Sequence, residues 1–225
     1  MLGMMVKTDA EIHKDVINEL KWETHVKETE VGVEVDKGVV TLTGTVSSYA
    51  KKQAAEQAAR RVAGVLDVAN DVRITIPSSL TITDTDIAQA VRKNLEWDVF
   101  VPDKQIQSTV SNGWVTLTGE VHNMCAREDA ERAIRHLTCV RGVVNEIKIE
   151  DPKTNPDEIR DAIDLALIRR AEREVERIKV DVKDGSVTLT GRVHSWREKR
   201  AILGSVTHAP GVRTVTDRLA IDPYF

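Results

Sequence analysis

One pattern occurs three times in this chain of 225 residues and decides what the chain can fold into. Each copy places alternating valine, threonine and leucine residues between two glycines. The glycines that frame the three copies are Gly38, Gly44, Gly113, Gly119, Gly185 and Gly191. β-Branched side chains suit a pleated, half-buried surface, and a turn signal precedes each copy. The pattern therefore predicts three strands, each one following a tight turn, in three tandem units.

The residues around each copy predict the same order of elements. Thr8, Thr83 and Asn155 stand where a helix would begin, and each is followed three residues later by an acidic residue, the arrangement of a capping box. Apolar residues then recur at a spacing of four, which predicts one buried helical stripe per unit. The stripe residues are Ile12, Val16, Leu20, Ile87, Val91, Leu95, Ile159, Ile163 and Leu167.

A short alternating strand follows this helix, then the recurring strand, a second helix and a last strand. The sequence thus predicts an α/β (α+β) fold of three α-β-β-α-β units, each a three-stranded mixed sheet with two helices on one face. We expect the domains to span residues 1–78, 79–152 and 153–225, joined by short linkers at 77–79 and 151–153.

The repeated segment resembles the BON domain. The resemblance rests on the Gly-x-Val-Thr-Leu-Thr-Gly motif, the helix after it, and a Gly-Val-x-x-Val ending at 64–68 and 211–215. It implies a small module, often in tandem, of bacterial osmotic-stress, envelope and transport-associated proteins. It also implies a binder of phospholipid surfaces or envelope partners that is not an enzyme and holds no cofactor.

The charge of the chain argues against nucleic acid as a partner. The formal net charge is −4, made up of −2 for residues 1–78, −4 for residues 79–152 and +2 for residues 153–225. An acidic surface repels phosphate backbones. An RNA-binding module of the KH type would need a GXXG loop, and no glycine pair has that spacing.

No catalytic or metal-binding constellation is evident in the sequence. His122, Cys125, His136 and Cys139 resemble zinc ligands, but a helix predicted between the two pairs would hold them roughly 20 Å apart. The same separation rules out a disulfide, which needs Cα atoms within about 7 Å. Free thiols and the lack of an export or membrane segment predict a cytoplasmic protein, periplasmic only if such a segment had been removed.

Two equivalent tryptophans are the best candidates for a binding surface. Trp22 and Trp97 follow the last stripe residue by two positions and so lie off the buried stripe. Packing at a domain edge or between units is favoured, and an exposed anchor for lipid or a partner is the functional alternative. The third unit has Arg169, Arg170 and Arg173 at this end, which indicates a solvated face or an anionic-lipid contact.

We therefore expect a non-enzymatic tandem-repeat binding protein of osmotic or envelope stress or of transport. Its candidate lipid- or partner-binding residues are Trp22, Trp97, Arg169, Arg170 and Arg173. The alternative is a cytosolic scaffold for a protein partner or for a small solute or ion.

Overall fold

The computed structural model describes residues 7–76, 82–150, 156–170 and 178–222, without the side chains of residues 28 and 167–170. Both predicted linkers and the expected helix cap Asn155 lie outside this part. The first repeat contains α1 Asp9–Trp22, β1 Val31–Asp36, β2 Val39–Val46, α2 Tyr49–Arg61, β3 Asp67–Asn70 and β4 Arg73–Ile74.

The other two repeats have the same order of elements. The second contains α3 Asp84–Trp97, β5 Ile106–Ser111, β6 Trp114–Val121, α4 Met124–Ile134, β7 Gly142–Asn145 and β8 Lys148–Ile149. The third contains α5 Pro156–Arg170, β9 Ile178–Lys183, β10 Ser186–Val193, α6 Trp196–Thr207 and β11 Thr214–Ile221. The predicted α+β class and the α-β-β-α-β repeat are confirmed.

Each repeat has its own mixed sheet, with the recurring strand in the middle. β2 pairs antiparallel with β1 and parallel with β3 and β4. β6 pairs in the same way with β5, β7 and β8, and β10 lies between β9 and β11. In the parallel pairs each residue faces the one 28 positions later, as Val39 faces Asp67 and Thr45 faces Arg73.

The first helices begin with the expected capping boxes. The Thr8 hydroxyl accepts the Glu11 N–H, and the Glu11 carboxylate accepts the Thr8 N–H at 2.8 Å. These hydrogen bonds, the one from the Thr8 backbone first, lower the pKa of Glu11. Thr83 and Asp86 form the same box at the start of α3. Two N–H groups that a helix end would leave unpaired are satisfied in this way.

The apolar stripes of these helices form the core of each repeat. In α1 and α3 all six stripe residues are buried, and so are Ile159 and Ile163 of α5; the side chain of Leu167 is outside the described part. The recurring strands bury every second residue against the helices, while the threonines between them face outward. The buried strand residues are Val40, Leu42, Val46, Val115, Leu117, Val121, Val187, Leu189 and Val193.

The last strand is interrupted in two repeats, where the sequence predicts one continuous strand. Asn70 ends β3, and its side-chain amide donates to the Lys52 carbonyl oxygen and to the Glu56 carboxylate on α2. The side-chain oxygen Oδ1 of Asn70 accepts the Val72 N–H at 3.3 Å. Asn145 makes the equivalent bonds in the second repeat. The asparagine side chain thus interrupts the backbone pairing of the last strand and joins that strand to the second helix of its repeat.

In the first two repeats a close approach of the backbone just before the first strand requires the second glycine of the motif. Gly44 has φ +116°, and a Cβ there would lie 2.2 Å from the Glu30 carbonyl oxygen. At Gly119, with φ +138°, a Cβ would lie 2.1 Å from the Gln105 carbonyl oxygen. No side chain fits at these distances, so these glycines serve the backbone path of the sheet.

The helix expected between Cys125 and Cys139 is shorter than predicted. α4 ends at Ile134, five residues before Cys139. Cys139 is buried and has φ +67°, a left-handed conformation that Gly64 and Gly211 adopt at the equivalent positions. A cysteine therefore occupies a turn position that glycine fills in the other two repeats.

Candidate functional site

The two candidate tryptophans are the last residues of α1 and α3, and both point into solvent. Trp22 is 83% exposed and Trp97 is 79% exposed, although Leu20 and Leu95, two residues earlier, are fully buried. Two residues correspond to about 200° of helical rotation, which turns the indole rings away from the core. Neither ring packs into the core of its own repeat, and the exposed alternative describes both side chains.

The segment after α3 extends this apolar surface. Val99 is 91% exposed and Phe100 is 77% exposed. The Asp98 carboxylate accepts the Phe100 N–H at 3.0 Å, and the Asp98 carbonyl oxygen accepts the N–H of the buried Val101. A hydrogen-bonded turn with one buried anchor thus holds the two side chains outward. We call Trp97, Val99 and Phe100 the second-repeat tip.

The first repeat has the same turn with different side chains. The Glu23 carbonyl oxygen accepts the N–H of Val26, which is buried as Val101 is. The residues in between are Thr24 and His25, both exposed and polar. Nδ1 of His25 lies 3.0 Å from the Glu23 carboxylate, and this hydrogen bond is the main reason why the pKa of Glu23 is lowered. Trp22, Thr24 and His25 form the first-repeat tip.

Sequence reasoning missed Val99 and Phe100. Apolar residues next to a helix end are expected to fold into the core, and only Val101 of this segment does so. A comparison of the repeats contained the signal, because Val99 and Phe100 stand where the first repeat has Thr24 and His25.

Acidic residues lie near both tips, together with arginines that form ion pairs with them. Arg92 donates to Glu96 at 2.9 Å and to Asp103 at 2.7 Å. Nζ of Lys93 lies 6.0 Å from the centroid of the Trp97 ring, at the limit of a cation–π contact. In the first repeat Arg61 of α2 donates to Glu19 at 2.6 Å and to Glu23 at 3.0 Å. These arginines are engaged by carboxylates, which reduces the positive charge they present to a phosphate.

The arginines expected at this end of the third repeat are not placed. α5 ends at Arg170, but the side chains of Arg169 and Arg170 and the whole of Arg173 lie outside the described residues. The described part of this repeat has an open groove of about 560 Å³ between α5 and α6. Its lining is Ala162, Leu165, Ala166, Gly204, Ser205, His208, Ala209 and Pro210.

The thiols and imidazoles do not assemble into a metal centre within the described ranges, where no three potential ligands cluster. Cys125 and Cys139 are both free thiols. Burial raises the pKa of Cys125, and the carboxylates of Asp129 and Glu128 raise it further. A thiol with a raised pKa is a poor nucleophile at neutral pH.

No helix in the described part of the chain combines the length and the apolar character that crossing a bilayer requires.

Comparison with known families agrees with this architecture. The model of the BON domain matches residues 8–76, 83–151 and 155–223. The chain belongs to the BON domain family. Each matched range falls within one of the three expected domains, and the family is the one that the glycine and valine pattern resembles. The boundaries between the domains stay predictions.

One curated relative matches part of this chain. Osmotically-inducible protein Y of Escherichia coli (strain K12) is 27% identical over 128 residues, which is 55% of this chain and 64% of that protein. The match thus spans less than two thirds of the relative's own length. Its activity and partners are therefore not transferred directly.

Two solved structures from Chlamydia trachomatis are distantly similar. CdsD, a structural protein of the type III secretion system, is 16% identical, with 93% of this chain and 91% of that chain covered and a TM-score of 0.28. The C-terminal domain of CdsD is 15% identical, with 96% of this chain and 100% of that chain covered and a TM-score of 0.27. Scores this low carry no argument about this chain.

The expected cytoplasmic location is wrong. Osmotically-inducible protein Y is a periplasmic or envelope-type osmotic protein, and this similarity does not support a cytoplasmic assignment. The free thiols do not determine the compartment. Two cysteines that are not paired with each other remain thiols in an oxidising compartment as well as in a reducing one.

Proposed function

We propose that this BON protein is a non-enzymatic binding protein of osmotic or envelope stress, and that it contacts phospholipid surfaces through the ends of α1 and α3. Membership of the BON family and similarity to an osmotically-inducible protein support the first part. The second part rests on the two helix ends themselves.

The observation that carries the proposal is the exposure of Trp22 and Trp97 at equivalent positions of two repeats. Leaving a large aromatic side chain in water forgoes roughly 1.5–3 kcal/mol that burial would supply. An indole ring also suits the boundary between lipid headgroups and acyl chains, because its body is apolar and its N–H can stay hydrated. A surface that buries both rings would gain that free energy.

The chemistry of these helix ends favours contact over catalysis. The first- and second-repeat tips contribute mainly ring and alkyl surface, together with one hydroxyl and one imidazole that is hydrogen-bonded to Glu23. Such a set offers contact area and orientation to a ligand.

Vesicle flotation tests the proposal. The parent protein is mixed with phosphatidylcholine vesicles, and separately with vesicles that also contain phosphatidylglycerol. We expect the parent to float and Trp22→Ala/Trp97→Ala to bind at least about tenfold more weakly, as the loss of two buried rings predicts. Trp114→Ala is the matched control, because Trp114 lies on the sheet of the second repeat. A parent protein that floats with neither vesicle would contradict the proposal.

A scaffold for a protein partner or small solute is the second candidate, and the groove of the third repeat favours it. In the first repeat Glu19 and Arg61 bridge the two helices, whereas the third repeat has Ala166 and His208 at these positions. The small side chains leave the groove open. A pull-down that compares the parent with Ala166→Glu tests the protein-partner form of this candidate. If the groove binds a protein, the parent should capture a specific protein and the added carboxylate should abolish that capture.

A further inference from the structure

The second-repeat tip differs from the first in a way that specifies the kind of membrane. Resting on the proposed function, we propose that Trp97, Val99 and Phe100 insert together into the interface of a bilayer without net charge, and that this insertion supplies most of the binding. The first-repeat tip adds a single ring.

The three side chains make up one short apolar segment that is exposed to solvent. They lie within four consecutive residues, and each is more than three quarters exposed. Asp98 and the buried Val101 fix the turn that presents them. A segment that is already held in its outward conformation loses little conformational entropy when it is buried. An exposed apolar segment can enter the interface of a bilayer without a complementary pocket.

The charges next to this tip speak against attraction to anionic lipid. Glu96 and Asp98 directly flank Trp97, and Arg92 is engaged by Glu96 and Asp103. Lys93 lies by the Trp97 ring, where an ammonium group can reach the headgroup level while the ring inserts. Recruitment by anionic lipids needs several basic residues at the surface. One lysine beside two carboxylates does not provide it.

The first repeat supplies an internal comparison for this assignment. It keeps the turn, the buried valine and the terminal tryptophan, but has Thr24 and His25 in place of Val99 and Phe100. Because the same fold carries either pair, exchanging the pairs changes the surface chemistry without introducing a residue that the fold has not already accepted at that position.

The experiment exchanges the two pairs in the full chain. Parent, Val99→Thr/Phe100→His and Thr24→Val/His25→Phe are floated with phosphatidylcholine vesicles and with vesicles of three parts phosphatidylcholine to one part phosphatidylglycerol. Each series is run at low and at high sodium chloride. We expect comparable binding of the parent to both vesicles, and less than about a twofold change with salt, because screening acts on charges and not on apolar burial. We expect a loss of about tenfold or more in the first variant and a gain in the second.

The outcomes separate this inference from the proposed function. Binding of the parent only to the phosphatidylglycerol vesicles, abolished by salt, would retain the proposed function and overturn the inference. Equal binding of the parent and Val99→Thr/Phe100→His would also overturn it, provided that circular dichroism shows both to be folded. Flotation with neither vesicle would remove the proposed function itself.

Discussion

The carboxylate of Asp9, the first residue of α1, accepts the backbone N–H of Gly38 at 2.9 Å across 29 residues of sequence. Its other oxygen accepts the Lys37 N–H at 2.8 Å. Lys37 and Gly38 both have positive φ, as the two-residue turn between β1 and β2 requires. Asp84 makes the same pair of bonds to Asn112 and Gly113. One aspartate thus joins the start of the helix to the hairpin.

Replacing Asp9 by alanine tests this connection. Asp9→Ala removes two hydrogen bonds to a charged acceptor and leaves two turn amides to water, so we expect the free energy of unfolding of the first repeat to fall by about 1–3 kcal/mol. Urea denaturation followed by circular dichroism measures it. Glu34→Ala, at an exposed strand position, is the control and should stay within about 0.5 kcal/mol of the parent. Equal unfolding midpoints for the two variants would contradict the assigned role.

Asn145 should contribute more to the stability of the second repeat than a polar residue at the end of a strand usually does. Its amide donates to the Arg127 carbonyl oxygen at 2.9 Å and to Glu131 at 3.3 Å, and its oxygen accepts the Ile147 N–H at 3.3 Å. We expect Asn145→Ala to destabilise the second repeat by about 1–3 kcal/mol, since partly buried backbone groups lose their partners. Urea denaturation checks this. The exposed neighbour Glu146 provides the control, and an Asn145→Ala change no larger than that of Glu146→Ala would refute the prediction.

The exposed tryptophans should contribute little to stability. We expect Trp22→Ala and Trp97→Ala each to change the free energy of unfolding by less than about 0.5 kcal/mol, because neither ring packs in the core. Leu95→Ala, two residues before Trp97 and fully buried, should cost about 2–5 kcal/mol in the same assay. A large loss of stability from either tryptophan variant would mean that the ring has an internal packing role.

The thiol of Cys125 should react with iodoacetamide more slowly near pH 8 than the thiol of a free cysteine does. Burial and the carboxylates of Asp129 and Glu128 raise its pKa above the ordinary value of 9.0, so at any given pH near 8 a smaller fraction is thiolate than in a free cysteine. Mass spectrometry of the Cys125 peptide across a pH series gives the midpoint of the reaction.

Asp129→Asn removes one of the two neighbouring charges and should move this midpoint toward lower pH. A midpoint of the parent at or below that of a model cysteine peptide would show that the carboxylates do not act on the thiol in solution.

The regular features of the fold could be predicted because each depends on local chemistry that recurs in three copies. The capping residues Thr8 and Thr83, the stripe from Ile12 to Leu20 and the turn glycines each follow from propensity and periodicity, and each is found where expected. Agreement among three copies of one pattern removes the ambiguity that a single short apolar run would have.

The exceptions depend on contacts that no local pattern contains. The break after Asn145 arises from bonds to a helix 14 and 18 residues earlier in the chain, and periodicity reports only the alternation of the strand. Phe100 points outward because of the turn at Asp98. Phenylalanine is an apolar residue type, and residue type alone would predict a buried side chain. Cys139 carries a conformation that its residue type does not favour.

The constant spacing of 28 residues between paired strands has a kinetic consequence. The aspartate bonds to the hairpin span 28 and 29 residues, and the parallel pairs on the recurring strand span 28. Both closures therefore form loops of about 30 residues within one repeat, and the entropy of closing a loop rises only slowly with its length. These partners all lie within one repeat, so their pairing does not depend on a later part of the chain. A repeat can thus complete its sheet during synthesis, soon after its last strand leaves the ribosome and before the next repeat is finished.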